Sequence, residues 1–140
     1  MEPQQSNVRL PILIADDDAD LRDILSALFA RQGFPVILCD DAEGVLKHIE
    51  ANTELSAIIM DLLLPFADGF DLVKQVRRNP HYQNTPMVIL SDLTSEEDVI
   101  EAFTLRVNDV ISKPFQPREL KARVLRWLEH EPLPSFNWKV

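Results

Sequence analysis

Four short aliphatic runs in this chain each end on a residue able to do chemistry. "ILIAD" ends on Asp16 with Asp17 behind it, "AIIMD" on Asp61, "VILS" on Ser91 and "VISK" on Lys113. Two unit charges about 4 Å apart repel by roughly 1 kcal/mol in water and roughly 4 kcal/mol at the effective dielectric of a protein surface. Carboxylates gathered as in "DDDAD" (16–20) therefore need a cation, a raised pKa or free exposure to solvent. Mg²⁺ binds through one or two carboxylates plus water and phosphate oxygens, and Asp16 with Asp17 can hold it. A third carboxylate near that cation, Asp61, can act as a nucleophile toward phosphorus and become an acyl phosphate. Lys113 then neutralises a phosphoryl oxygen and Ser91 donates a hydrogen bond to another. Singly, each residue has a plainer reading as a turn former, cap or solvated side chain; their joint placement at strand ends points to a site.

Ligands of an open α/β sheet bind beyond the carboxyl ends of its strands, which is where this set falls. The strand-like runs are 11–16, 35–40, 56–61, 87–92 and 108–113, all short and rich in Ile, Val and Leu. Such runs are expected of parallel strands buried on both faces. Between them lie amphipathic patterns. Leu21, Ile24, Leu25, Leu28 and Phe29 form one apolar stripe, followed by Gly33 as a stop. Asp41 is placed to cap a helix carrying Val45, Leu46 and Ile49; Asp40, at the end of the second run, also reads as a cap rather than a site residue. A third helix carries Phe70, Val73 and Val76 and ends near Pro80. Thr94 with Glu97 has capping-box spacing ahead of Val99, Ile100 and Phe103, and Pro117 opens a last helix carrying Leu120, Val124, Leu125 and Leu128. Five βα units in series predict a doubly wound parallel sheet with helices on both faces.

With 140 residues, 46% hydrophobic and 26% charged, the chain has the composition of one ordinary domain. The formal net charge of −9 argues against nucleic acid or an anionic membrane as a direct partner. The apolar runs are too short to span a bilayer, and "MEPQQSNVRL" (1–10) has no secretory signal pattern. Cys39 is the single cysteine, so no intramolecular disulfide is possible, and the expected location is cytoplasmic. His48, His81 and His130 share no strand end with the acidic set and read as structural or surface residues.

Taken as a set, these motifs resemble the response-regulator receiver domain of two-component signalling, over roughly residues 8–130. "IADDDAD" is similar to the acidic pair after the first strand, and "MDLLLPFADG" to the phosphoacceptor motif. "VILSD" supplies the Ser or Thr position and "ISKPF" the Lys-Pro signature. The resemblance implies a flavodoxin-like five-stranded sheet of order 2-1-3-4-5 with five helices. It also implies Asp61 as phosphoacceptor, with Mg²⁺ held by Asp16, Asp17, Asp61 and the Leu63 carbonyl. Ser91 becomes the switch hydroxyl and Lys113 the phosphoryl contact. A histidine kinase or phosphotransfer protein donates the phosphoryl group to a protein that is a switch rather than a turnover enzyme, and a homodimer is a possible assembly. Asp18 matches a commonly acidic position, and Asp20 belongs to the first helical turn. Residues 1–7 and 131–140 read as tails, in which Phe136 and Trp138 are candidates for docking; ten residues leave no room for an output domain, so this is a stand-alone receiver or one part of a larger regulator.

Several residues depart from the family pattern. Asp92 replaces the usual small residue after the switch hydroxyl, and is expected to crowd an incoming phosphoryl group or to turn outward. Arg106 stands where Gly is usual; if φ is positive there, it costs about 1–2 kcal/mol. Val110 replaces an aromatic residue that normally rotates on activation, a swing a β-branched side chain cannot make. Leu63 and Leu93 occupy positions that tune hydrolysis of the acyl phosphate, and two apolar side chains there predict slow self-dephosphorylation. Two other readings compete: a degenerate receiver-like module that binds partners without phosphorylation, and a haloacid-dehalogenase-type aspartyl phosphatase built on Asp16. The second leaves Asp61 and "LLLPFADG" unexplained. An EF-hand reading of "DDDADL" lacks the required Gly and Glu.

Overall fold

The structure is a computed structural model that describes residues 9–65, 67–92 and 95–128. Five parallel strands, β1 (Ile12–Ala15), β2 (Val36–Cys39), β3 (Ala57–Asp61), β4 (Met87–Ser91) and β5 (Asp109–Ser112), form one sheet of order β2-β1-β3-β4-β5. Helices α1 (Ala19–Ala30), α2 (Ala42–Glu50), α3 (Gly69–Arg78), α4 (Glu96–Thr104) and α5 (Pro117–Leu128) cross between and after them. Two apolar cores lie on opposite faces. One is built on Leu13, Ile58, Met60 and Ile89 with α2 and α3, the other on Ile12, Ile14, Ile59 and Leu90 with α1 and α5. The flavodoxin-like α/β architecture expected from the sequence is the one observed. Among the described residues, no helix is long and apolar enough to cross a membrane.

Burial on both faces holds only for the three inner strands. β1, β3 and β4 are buried at every position, whereas the edge strands β2 and β5 are half-exposed and Leu38 shows 42% of its surface. An edge strand lacks one neighbour, so an aliphatic run does not by itself imply two covered faces. The α1 stripe is likewise narrower than its spacing indicates. Leu25 and Phe29 are buried, but Ile24 faces outward.

The helix starts follow local chemistry, with two corrections. Asp41 caps α2, accepting from the Gly44 N–H at 2.8 Å, while Asp40 is exposed and is not the cap. Ser95 caps α4, accepting from the Asp98 N–H at 3.3 Å, one residue later than the Thr94 box; Thr94 lies outside the described residues. The tails and His130 also lie outside them. α1 ends as expected: Gly33 takes φ +88°, and the Phe34 N–H returns to the Phe29 carbonyl at 3.1 Å.

The opposite edge of the sheet from the strand ends is tied by one guanidinium. Arg77 donates from Nε and Nη2 to the Arg106 carbonyl, from Nη1 to the Tyr82 and Thr85 carbonyls, and from Nη2 to Asn108 Oδ1. Asn108 Oδ1 also accepts from the Met87 N–H. Burial first, then the nearby Arg106 charge, lowers the Arg77 pKa from its ordinary value. This clamp holds Arg106 at φ +72°, a left-handed conformation unfavourable for a side chain. Arg106→Gly is expected to raise stability in urea denaturation by about 0.5–1 kcal/mol, because relief of strain exceeds the extra entropy of an unfolded glycine. Arg106→Ala keeps the Cβ and is expected to give no such gain.

Candidate functional site

The strand register brings the chemistry together. Ala15 on β1 pairs with Met60 on β3, so Asp16 and Asp61 follow side by side; Ser91 on β4 pairs with Ser112 on β5, placing Lys113 next. Backbone bonds continue past the strands: the Leu62 N–H donates to the Leu90 carbonyl at 3.2 Å, and the Lys113 N–H to the Ser91 carbonyl at 2.9 Å. The Lys113–Pro114 peptide bond is cis.

Asp16, Asp17 and Asp61 each offer a carboxylate oxygen, all within 4.8 Å of one another. Asp16 is fully buried and Asp61 is 5% exposed, while Asp17 faces solvent. The cation found among them is the chain's own. Lys113 Nζ donates to Asp16 Oδ2 at 2.8 Å and to Asp61 Oδ2 at 2.5 Å, joining residues far apart in sequence. Burial pulls the Lys113 pKa down, but the two carboxylate hydrogen bonds and the charges behind them outweigh it and leave it above 10.5.

The other carboxylate oxygens are also occupied. Asp16 Oδ1 accepts from the Asp18 N–H at 2.9 Å, and Asp61 Oδ1 from the Leu63 N–H at 2.7 Å. Arg22 Nη1 donates to the Asp16 carbonyl at 2.7 Å, a contact that the sequence reading did not anticipate. Asp18 caps α1 through the Asp20 and Leu21 N–H groups, and Asp20 lies in the first turn. Of the run "DDDAD", therefore, Asp16 and Asp17 belong to the triad, while Asp18 and Asp20 serve the helix N-terminus.

The loop after Asp61 is held by close packing. A Cβ on Gly69, the first residue of α3, would stand 2.3 Å from the Leu62 carbonyl oxygen and 2.6 Å from its Cα. Gly69 is thus required by the close approach of the loop, and Asp68 caps α3 through the Phe70 and Asp71 N–H groups. Asp68 and Gly69 are the Asp-Gly of the acceptor motif.

Ser91 is buried at the carboxyl end of β4, and Asp92 next to it is exposed, the outward of the two orientations expected. Leu63 is 65% exposed beside Asp61; Leu93 lies outside the described residues. Val110 is half-buried on β5. Cys39 is buried; desolvation, with Asp41 and Asp40 adding to it, pushes its thiol up to about 11, so it stays protonated at neutral pH. His48 lies 3.1 Å from the Thr53 hydroxyl and His81 pairs with Glu54 at 3.2 Å, both away from the triad.

Fold and site together define a receiver. The response regulator receiver domain model matches residues 12–125, and the chain belongs to that family. Response regulator SaeR of Staphylococcus aureus is 28% identical over 133 residues, which cover 91% of this chain and 57% of SaeR; the chain thus spans little more than half of that relative. The receiver domain of Francisella response regulator 1452 is 31% identical with a TM-score of 0.77, covering 86% of this chain and 98% of that one. A receiver domain of the sensor histidine kinase PA1611 from Pseudomonas aeruginosa shares the fold (24% identity, TM-score 0.71, 86% and 98% coverage), and its structure has a magnesium ion coordinated in the active-site cleft. In this chain three convergent carboxylate oxygens fit a hard, oxygen-seeking cation. The family is one of signalling domains rather than turnover enzymes, and the dehalogenase-type reading falls with it.

Removing the ammonium leaves two buried carboxylates without compensation. Lys113→Met is expected to lose about 3–5 kcal/mol in urea denaturation near neutral pH, and distinctly less in an Asp61→Asn background. Because the folded-state pKa of Lys113 is raised, its contribution is fully present below 10.5 and is lost as pH rises through the folded value. On the alkaline side, the difference between wild type and Lys113→Met should therefore persist until strong alkali.

Proposed function

We propose that the chain is a phosphorylatable switch in which Asp61 accepts a phosphoryl group from the phosphohistidine of a histidine kinase or phosphotransfer protein. The observation that carries this reading is the convergence of Asp16, Asp17 and Asp61 with Lys113 at the carboxyl edge of the sheet. An Asp61 carboxylate oxygen forms a bond to phosphorus while the bond from phosphorus to the donor imidazole nitrogen breaks and its electron pair stays on that nitrogen. The product is an acyl phosphate. Asp16, Asp17, Asp61 and the Leu63 carbonyl would hold Mg²⁺, which would supply charge to offset the repulsion between the carboxylates and the incoming anion.

The remaining residues divide the work. The Leu63 N–H fixes one oxygen of Asp61 and so orients the carboxylate. Lys113 exchanges its Asp61 bond for a phosphoryl oxygen, keeping its ammonium paired before and after transfer. Ser91 donates its hydroxyl to another phosphoryl oxygen. Asp92 turns its charge to solvent instead of filling the pocket, which favours this reading over a degenerate binding module. Val110 provides no aromatic swing, so output through α4 and β5 runs by other side chains. The receiver spans residues 8–130, with tails on either side, and acts by protein contact, with a homodimer as one available assembly.

Intact-protein mass after incubation with acetyl phosphate tests the acceptor. One phosphoryl adduct is expected with Mg²⁺, none without it, and none in Asp61→Asn. Absence of an adduct with acetyl phosphate, phosphoramidate and a phosphohistidine protein alike would overturn the reading. The exposed, apolar Leu63 cannot orient an attacking water beside the acyl phosphate. Leu63→Asn is therefore expected to shorten the adduct lifetime by roughly threefold to tenfold in a mass time course.

A further inference from the structure

Away from the acidic site, α2 and α3 leave a groove of about 550 Å³ between them. Its floor is apolar: Leu46, half-buried against the core, faces buried Leu72, with Ala42 and Ala67 at one end. Its walls are acidic. Glu43 and Glu50 come from α2, Asp68 and Asp71 from the start of α3, and Lys47 is the one cation of the lining. Two internal ion pairs do little to neutralise this rim: Lys47 stands 4.0 Å from Glu43, and Lys74 3.9 Å from Asp71, both with exposed partners. Pairs of that kind contribute about 0–1 kcal/mol and break readily.

Glu43, Glu50 and Asp71 are needed neither by the triad nor as helix caps, because Asp41 and Asp68 fill the cap positions. An apolar trough between two short helices, walled by carboxylates, complements an amphipathic segment with an apolar stripe and flanking cations. With nine residues in α2 and ten in α3, the trough runs for about 14 Å, enough for two to three turns of helix.

We propose that this α2–α3 groove is a docking site for a basic amphipathic helix of a partner protein. The apolar residues of that helix sit over Leu46 and Leu72, and its Lys or Arg side chains reach Glu43, Glu50 and Asp71.

A Leu/Lys peptide of about fourteen residues, with leucines at helical spacing, serves as the probe for the 140-residue chain, followed by amide chemical shifts. Shifts are expected on α2, on α3 and at Ala67. A Glu43→Gln, Glu50→Gln, Asp71→Asn variant should bind at least about tenfold more weakly, and an α4 control carrying Glu96→Gln, Glu97→Gln and Glu101→Gln within about twofold of wild type. A peptide with Glu in place of Lys should not bind. Equal weakening by the α4 control would reduce the effect to the overall negative charge and overturn the proposal. So would shifts centred elsewhere, or no binding at millimolar peptide. If the same amides shift with protein concentration alone, the face belongs to a second copy of the chain, which also overturns it.

Discussion

Lys113 holds the two carboxylates that the fold forces together. The sheet register leaves Asp16 and Asp61 no room to separate, and both are buried where water cannot screen them. One ammonium touching both converts a mutual repulsion into two charge-assisted hydrogen bonds. This requires β5 to arrive at the right height, which its backbone bond from Lys113 to Ser91 secures. It also requires the loop after Asp61 to turn back tightly, which the absence of a side chain on Gly69 permits. The edges of the sheet, the tight loop and the ion bridge are therefore parts of one constraint.

The same bridge sets the terms for any ligand of the site. A buried ion triad is costly to break by removing one member, but its members can exchange partners without being left bare. An incoming phosphoryl group would bring oxygens able to replace Asp61 as acceptors for Lys113. A divalent cation would bring charge able to replace Lys113 as counterion for the carboxylates. Either exchange conserves the pairing, and neither demands exposure of a lone buried charge.

Much of this was legible in the sequence because short aliphatic runs ending on polar residues mark both a buried parallel strand and the edge where ligands bind. The five strands and the convergence of Asp16, Asp17 and Asp61 follow from that pattern, whereas the strand order came only with the resemblance to the receiver family. The errors lay where neighbouring residues offer equivalent chemistry. Asp40 and Asp41 can both cap α2, and Thr94 and Ser95 can both cap α4, so only backbone geometry selects one. Ile24 and Leu38 were misread because periodicity records what is apolar and not what happens to cover it. The bridge from Lys113 to both Asp16 and Asp61 and the bonds from Arg77 to Arg106 and Asn108 join segments distant in sequence. No spacing rule encodes such contacts, since they arise from where the strands come to rest.

The Arg77 clamp also divides the molecule mechanically. At the edge where β4 and β5 begin, a guanidinium is held by carbonyl oxygens, acceptors that carry no proton to gain or lose between acid and neutral pH. At the opposite edge, the grip is made of ions, which respond to other ions. A change in charge at the carboxyl ends of the strands thus acts on a frame whose far end is fastened by acceptors that do not titrate between acid and neutral pH. The fold is thus fastened in two chemically different ways, at one end by a guanidinium on uncharged acceptors and at the other by a bridge of opposite charges.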